Sequence, residues 1–183
     1  MKSGKESVGK ILRTPLSEEE IRSLRAGDIV FLSGVITTAR DAAHKRMVEH
    51  IRSGKPIPVD LRGGAIYHCG PIVKRYDERM EVISAGPTTS SRMDDFEPFI
   101  VTHLGVRMII GKGGFSEKST DIFKRFKAVY CSPPGGASAL LSKSVRKVSA
   151  VYWLDLGLPE ALWLLEVYRL GPMFVTIDSH GGN

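Results

Sequence analysis

The chain has 183 residues, of which 42% are hydrophobic and 25% charged, values that predict one globular domain with a real core. Its apolar runs, such as residues 161–165, are far too short to span a bilayer. No apolar signal-peptide core follows the basic start, so we expect a cytoplasmic protein. The formal net charge of +6 fits small anionic substrates or an acidic partner surface as well as nucleic acid.

Nucleic-acid binding finds little further support in the sequence. The lysines and arginines are scattered rather than gathered, and both the RNP1 pattern and zinc-finger spacing are absent. We therefore expect neither a nucleic-acid partner nor a membrane.

Two cysteines, Cys69 and Cys131, lie far apart in the sequence, and neither has a second ligand at metal spacing. In a cytosolic chain such residues are more often reduced and buried than paired in a disulfide. Two thiolates are also too few for an iron–sulfur cluster or a structural zinc held by this chain alone. The sequence therefore predicts no metal site.

Taken in chain order, residues 1–15 are predicted to form a loose N-terminal arm and residues 16–183 a single domain. A short helix follows Ser17, because Ser17 and Glu20 have the spacing of a capping box. The next segment, 28–36, is rich in β-forming residues, and Gly34 within it predicts a bend or bulge. It leads through Thr37–Asp41 into an amphipathic helix, which places Arg40 where the strand meets the helix.

The rest of the chain alternates between strands and short helices. Strands are predicted over 65–73 (interrupted at Gly70-Pro71), 80–85, 106–110, 128–131, 148–154 and 167–177 (one strand, or a hairpin with Gly171-Pro172 as its turn). Helices are predicted over 92–104, 117–126, 137–145 and 160–164, the last opened by Pro159. This alternation predicts an α/β fold, a β/β/α layered domain whose sheet is mixed.

Residues 84–94 are the most distinctive stretch. Gly86-Pro87 predicts a turn, and the hydroxyls of residues 88–91 are candidate N-caps of a helix that carries Arg92 in its first turn. A helix start favours negative charge and a guanidinium binds carboxylate or phosphate, so the stretch predicts an anion-binding cradle. An ordinary capped helix with a solvated Arg92 explains the local pattern equally well.

A second cation, Lys112, lies between glycines directly after a predicted strand. An isolated Gly-Lys-Gly-Gly run is often only a flexible turn, but Arg40, Arg92 and Lys112 all follow strands. In layered α/β domains such strand exits often lie along one edge of the sheet, where the three cations would converge. Two arginines can each bind one carboxylate, so we predict a clamp for a dicarboxylate.

The same segments resemble a known family. The motifs in residues 37–44, 86–93 and 111–113, with the tail 175–181, are similar in order and content to the C-terminal domain, or beta subunit, of class I iron–sulfur fumarate hydratases and L-tartrate dehydratases. The resemblance runs from about residue 16 to the end of the chain. It implies a swivelling β/β/α domain.

The resemblance also implies an activity, the reversible hydration of fumarate to malate by a two-subunit hydro-lyase. By motif match, Arg40 and Arg92 bind the substrate carboxylates together with Gly86 and Thr89, Lys112 stabilises the aci-carboxylate, and Thr88 is the general base. The [4Fe–4S] cluster would be held by an alpha subunit, within a heterotetramer, and this chain would be inactive alone.

Two alternatives stay open. L-Tartrate dehydratase needs the same carboxylate clamp. A non-catalytic anion-binding or RNA-binding module would show a steep salt dependence of nucleic-acid binding and no activity with a cluster-bearing partner.

Overall fold

A computed structural model of the protein describes residues 9–77 and 79–183. Nine strands lie in this part of the chain: β1 (Lys10–Arg13), β2 (Ile29–Thr38), β3 (Ala65–Tyr67), β4 (Ile72–Tyr76), β5 (Arg79–Ser84), β6 (Met108–Ile110), β7 (Val129–Ser132), β8 (Val145–Tyr152) and β9 (Leu162–Ile177). Five α-helices accompany them: α1 (Glu18–Arg22), α2 (Asp41–Ser53), α3 (Glu97–Leu104), α4 (Glu117–Phe126) and α5 (Ser138–Lys143). Single 3₁₀ turns cover Ser90–Met93 and Leu154–Leu156.

The main sheet has seven strands in the order β1-β2-β3-β6-β7-β9-β8. The first five are parallel, whereas β9 runs antiparallel to β7, to β8 and also to β2. Phe174 of β9 is paired with Ile29 of β2 and with Ser132 of β7, so β9 closes the sheet on itself. The predicted mixed sheet is confirmed. Strands β4 and β5 form a separate antiparallel hairpin.

Two hydrophobic cores flank the short parallel strands, because their side chains alternate between the two faces. On one face, residues of α2, α3 and α4 pack against three strand residues: Ile66 in the middle of β3, Ile109 in the middle of β6 and Tyr130 near the start of β7. Their neighbours along each strand pack instead against β9, β5 and α5. One layer of helices and two layers of strands result, as the α/β layered prediction requires.

Local signals in the sequence decide several element boundaries. The Ser17 hydroxyl accepts a hydrogen bond from the Glu20 backbone N–H at 3.1 Å, and the Glu20 carboxylate accepts one from the Ser17 N–H at 2.8 Å, so the capping box is confirmed. Gly34 has a φ of 103° at a shift in the β2–β9 register, which confirms the bend. Gly105, with a φ of 64°, ends α3.

The N-terminal segment differs from its prediction. Residues 10–13, predicted to belong to a loose arm, form β1 and pair with residues 30–33 of β2. Four residues at the edge of a parallel sheet give too short a pattern to be recognised in the sequence. Residues 1–8 of the predicted arm lie outside the described residues.

The prediction for residues 159–177 is wrong for the helix, whereas the strand over 167–177 is confirmed. Neither a helix over 160–164 nor a turn at Gly171-Pro172 is present, and a single strand, β9, runs through 16 residues. Leu162 and Leu165 are buried against strands on both sides, since β9 pairs with β2 along one edge and β8 along the other. A short apolar run fits a helix and a buried strand equally well, and tertiary pairing decides between them.

No helix in residues 9–77 and 79–183 is long and apolar enough to cross a membrane.

Candidate active site

The candidate site lies at the carboxyl ends of the parallel strands. Strand β2 ends two residues before Arg40, and β6 ends two residues before Lys112. Strand β3, which lies between them in the sheet, leads directly to His68, Cys69 and Gly70. Parallel strands end at the same edge, and ligands of open α/β sheets bind at that edge.

The two arginines predicted to clamp the substrate lie next to each other. Arg92 donates from Nε and Nη2 to both oxygens of Asp41, at 2.9 and 2.8 Å. The Nε of Arg40 lies 3.9 Å from the same Asp41 oxygen that Arg92 Nη2 contacts. Asp41 therefore joins the two guanidinium groups, which come from segments about 50 residues apart.

A second carboxylate, Glu160, faces Arg40. Its Oε1 lies 3.3 Å from Arg40 Nε, and its Oε2 accepts a hydrogen bond from the Ala42 N–H at 2.8 Å. Glu160 thus caps the first turn of α2, where the helix dipole favours a negative charge. Both members of this ion pair are mostly buried, so it is screened less than a surface pair.

Lys112 lies beside the 88–90 segment through its backbone. Its N–H donates to the Thr88 carbonyl at 3.3 Å, and its carbonyl accepts from the Ser90 N–H at 2.8 Å. In the described part of the chain, no carboxylate oxygen lies within the 4.0 Å ion-pair distance of the Lys112 amine. Lys112 is exposed, in contrast to Arg40.

The 86–92 segment does not form the predicted helix start. The helix expected over 92–104 begins at Glu97, and Ser90–Met93 is one 3₁₀ turn. The N–H groups of Thr88, Ser90 and Arg92 donate to other backbone carbonyls, at 2.6, 2.8 and 3.4 Å respectively. The predicted cradle of outward-facing backbone N–H groups is therefore wrong, and the site depends on side chains.

The remaining predicted site residues line the same segment. Thr88 and Thr89 are half-buried, and Gly86 lies so close to the start of α5 that a Cβ atom there would overlap the Ser138 hydroxyl. Gly86 therefore lets the loop approach α5. The structure brings the 86–89 loop and Lys112 together through backbone pairing, and Arg92 connects them to Arg40.

Sequence reasoning missed three groups at this edge. Asp41 and Glu160 pair with the arginines, and Glu97 lies buried behind them with His44 and His68. His68 is a hydrogen-bonded buried histidine, since its two ring nitrogens contact Ser90 and Glu97. Only Asp41, adjacent to Arg40, gave a signal that could have been used.

One group of side chains in the described part of the chain has its donor atoms close enough together to bind a metal ion. The donor atoms of His44, His68 and Glu97 all lie within 4.8 Å of one another. The cysteines do not fit an iron–sulfur cluster, because Cys69 and Cys131 are fully buried in the core between the strand layers. Burial raises the pKa of Cys69 to about 12 and raises that of Cys131 as well, which keeps both as thiols.

Comparison with known proteins identifies relatives along the whole chain. L(+)-Tartrate dehydratase subunit beta of Escherichia coli K12 is 41% identical over 174 residues, which are 95% of this chain and 85% of that subunit. A putative L(+)-tartrate dehydratase subunit beta of Methanocaldococcus jannaschii is 44% identical over 92% of this chain and 87% of its own length. A putative class I fumarate hydratase of Geobacillus stearothermophilus is 40% identical over 94% of this chain but only 32% of its own length.

Residues 2–183 match the family described as Fumarase C-terminus. The chain belongs to the Fumarase C-terminus family.

Proposed function

We propose that the chain is the beta subunit of a two-subunit hydro-lyase that reversibly hydrates fumarate to malate. The observation that carries this proposal is the pairing of Arg40 and Arg92 around one carboxylate, that of Asp41. Two guanidinium groups held this close, beside a lysine, form a binding site for a small dianion.

The two arginines can bind a substrate carboxylate while they stay paired with Asp41 and Glu160. Asp41 occupies only the Nε–Nη2 edge of Arg92, and a guanidinium has a second bidentate edge formed by its two terminal nitrogens. Asp41 therefore orients Arg92 and leaves that second edge for a substrate carboxylate. The negative charges of Asp41 and Glu160 neutralise the positive charges of the two arginines. Lys112 and the partner subunit must therefore supply the net positive charge that a bound dianion needs.

Lys112 and Thr88 take the chemical roles in this proposal. Removal of the proton next to a carboxylate builds negative charge on its oxygens, and a lysine ammonium placed there stabilises the resulting aci-carboxylate. Thr88 holds the hydroxyl that exchanges this proton. A threonine hydroxyl is a weak base in water, so Thr88 depends on the neighbouring cations to stabilise its alkoxide.

The partner completes the site. The resemblance implies a [4Fe–4S] cluster that polarises the substrate as a Lewis acid, and the two buried thiols of this chain cannot hold one. We place the cluster and the opposing acid in an alpha subunit, assemble the two chains as a heterotetramer, and place the enzyme in the cytoplasm.

L-Tartrate is the second candidate substrate. The beta subunits from Escherichia coli and Methanocaldococcus jannaschii bear the name of L(+)-tartrate dehydratase, and this chain covers 85% and 87% of their lengths. Tartrate dehydration needs the same carboxylate clamp and differs by one substrate hydroxyl. Anaerobic co-expression with a cluster-bearing alpha subunit, assayed on fumarate, malate and L-tartrate, separates the two.

Arg92→Ala tests the clamp in that complex. Arg92 is 49% exposed, so its removal leaves the fold intact, but we expect turnover to fall by at least about 100-fold. Arg62→Ala is the matched control, because Arg62 makes the same two-nitrogen contact with Asp60 on another surface.

Normal turnover in the Arg92→Ala complex would contradict the proposed clamp. No activity of the wild-type complex on any of the three acids, together with steeply salt-dependent RNA binding, would favour a binding module instead.

A further inference from the structure

Behind the two arginines lies a completely buried polar cluster that the proposed chemistry does not use. It consists of His44 on α2, His68 after β3, and Glu97 at the start of α3, all at most 1% exposed. Glu97 Oε1 lies 2.7 Å from His68 Nε2 and 3.3 Å from His44 Nε2. Burying polar groups this deeply raises the free energy of the folded state unless the groups are paired. The cluster is therefore expected to have a role that outweighs this cost.

One arm of the cluster is a chain of hydrogen bonds. The Tyr130 hydroxyl donates to Ser90 Oγ at 2.9 Å, Ser90 donates to His68 Nδ1 at 2.9 Å, and His68 Nε2–H donates to Glu97. This direction satisfies every group with one proton each. Tyr130 also lies 3.3 Å from the Gly113 carbonyl. The arm therefore joins the segment before Arg92 to the glycine loop that carries Lys112.

The other arm joins the cluster to Arg40. A carbonyl can only accept, so His44 Nδ1 carries the proton of its 2.8 Å hydrogen bond to the Arg40 carbonyl. His44 Nε2 then faces Glu97 Oε1 at 3.3 Å. Among the described residues, neither His44 Nε2 nor the second oxygen of Glu97 has a hydrogen-bond partner.

Glu97 is ionised in this setting. Burial opposes the charge, but the facing imidazoles of His44 and His68 outweigh it and lower the pKa of Glu97 to about 2. The carboxylate is thus a fixed negative charge between two imidazoles. Its two arms end on backbone or hydroxyl groups close in sequence to Arg40, Arg92 and Lys112.

We propose that Glu97, acting through His44 and His68, is a positioning residue that fixes the distance between the two arginines and Lys112. This inference rests on the proposed function. Each of the three cations stands on a different segment, and the contacts of the buried carboxylate with His44 and His68 lead to all three segments. Substrate clamps must hold their groups close to the productive geometry, and a displacement near 1 Å costs about 100-fold in rate.

Close packing around the cluster supports this role. A Cβ atom on Gly111 would overlap the Ser90 hydroxyl and come within 3.2 Å of His68 Nδ1 and 3.3 Å of the Tyr130 hydroxyl. Only glycine leaves room for the hydrogen-bonded arm at the end of β6. The position of the Lys112 loop is therefore set by the same contacts.

The test is Glu97→Gln in the anaerobic complex with the alpha subunit. The amide keeps the shape but removes the charge, so we expect KM for the preferred dicarboxylate to rise about tenfold and kcat/KM to fall about 100-fold. The inhibition constant of succinate, a saturated four-carbon dicarboxylate, should rise with KM. Glu49→Gln, which changes an exposed glutamate on α2, is the matched control.

Tyr130→Phe is the second variant, and it tests the inference even if Glu97→Gln does not fold. It removes only the hydroxyl and keeps the ring that packs against Phe115, so the fold is retained while KM and the succinate constant rise by a smaller factor. A variant that merely lowers the fraction of folded complex would reduce kcat and leave both constants unchanged.

Unchanged KM and succinate inhibition in Glu97→Gln and Tyr130→Phe, with an active wild-type complex, would overturn the inference and leave the proposed function standing. A stoichiometric divalent metal bound by the wild-type chain and lost in Glu97→Gln would also overturn it, because the three side chains would then be ligands. An inactive wild-type complex would instead contradict the proposed function.

Discussion

Arg92 makes a two-nitrogen contact with Asp41 that is the same in form as the contact of Arg62 with Asp60. The surroundings differ. Arg62 is 80% exposed and Asp60 64%, whereas Asp41 is 33% exposed and lies beside a second arginine. An exposed pair contributes little, so the form of the contact alone does not reveal its role. The position of the Arg92–Asp41 pair at the sheet edge, beside Arg40, indicates its role.

Asp41→Ala should therefore weaken substrate binding. Without Asp41, Arg92 must be immobilised by the substrate itself, at a cost of about 0.5–1.5 kcal/mol for one long side chain. We expect KM to rise by up to about tenfold, with a smaller change in kcat. Steady-state kinetics of the reconstituted complex measures both constants.

Asp60→Ala is the control for this experiment, because it breaks an equivalent pair away from the site. A lower KM in Asp41→Ala would show that Asp41 competes with the substrate for Arg92 rather than orienting it.

Lys112 is exposed and lies at the end of β6, where its ammonium is accessible to a ligand. Lys112→Met keeps the length of the side chain and removes its charge. If the lysine acts on charge that develops in the transition state, kcat should fall by about 100-fold or more while KM changes little. Lys147→Met, at an exposed position of β8, serves as the control. A rise in KM at constant kcat would instead assign Lys112 to ground-state binding.

At the scale of the element, β9 is the strand that holds the layers together. Its 16 residues pair with β2, β7 and β8, and its inward side chains fill the core between the strand layers. Leu165 is fully buried there and faces Ile36 of β2 and Val148 of β8. A cavity at this point affects two strand pairings at once.

Leu165→Ala should lower the free energy of unfolding by about 2–5 kcal/mol, the range for large-to-small changes in a packed core. Urea denaturation followed by circular dichroism measures it. Tyr168→Ala on the same strand is the control, because Tyr168 is 54% exposed, and its effect should stay below about 1 kcal/mol. Equal losses in the two variants would mean that β9 is not packed as described.

Strand β9 also shows what local sequence alone cannot predict. Residues 162–165 are a short apolar run after Pro159, a pattern that also begins helices, and only pairing with β2 and β8 selects a strand. Local chemistry was more informative at Ser17–Glu20, where the capping box depends on neighbouring residues alone, and at Gly34, where glycine tolerates the positive φ of the bend. Those features were predicted correctly.

Some residues of the candidate site could likewise be predicted from the sequence, and others could not. Arg40 and Lys112 could be expected near each other, because both follow parallel strands and such strands share an edge. Glu160 could not be expected there, since it lies 118 residues after Ala42, with which it pairs. Glu97 lies close to Arg92 in sequence, but glutamates in helices are seldom buried and no local pattern marks this one. The helix start predicted at Arg92 failed because the N–H groups of Thr88 and Ser90 donate to the carbonyls of His68 and Lys112, on neighbouring strand exits.

For the molecule as a whole, the buried cluster makes stability depend on pH. Burial lowers the pKa of His68 from its ordinary 6.5, so the unfolded chain binds a proton there more readily than the folded one. The pKa of Glu97, about 2, lies below its ordinary 4.5. Both groups are depressed in the folded state. The stability they contribute is present above the unfolded pKa and lost as the pH falls.

The free energy of unfolding should therefore decrease as the pH is lowered from 7, first near 6.5 through His68 and again below 4.5 through Glu97. One proton difference gives a slope of up to about 1.4 kcal/mol per pH unit. Urea titrations of the chain at several pH values measure the slope. His68→Gln should flatten it between pH 7 and 5, whereas His103→Gln, at an exposed position, should leave it unchanged. An equal slope in wild type and His68→Gln would mean that His68 is protonated inside the folded cluster.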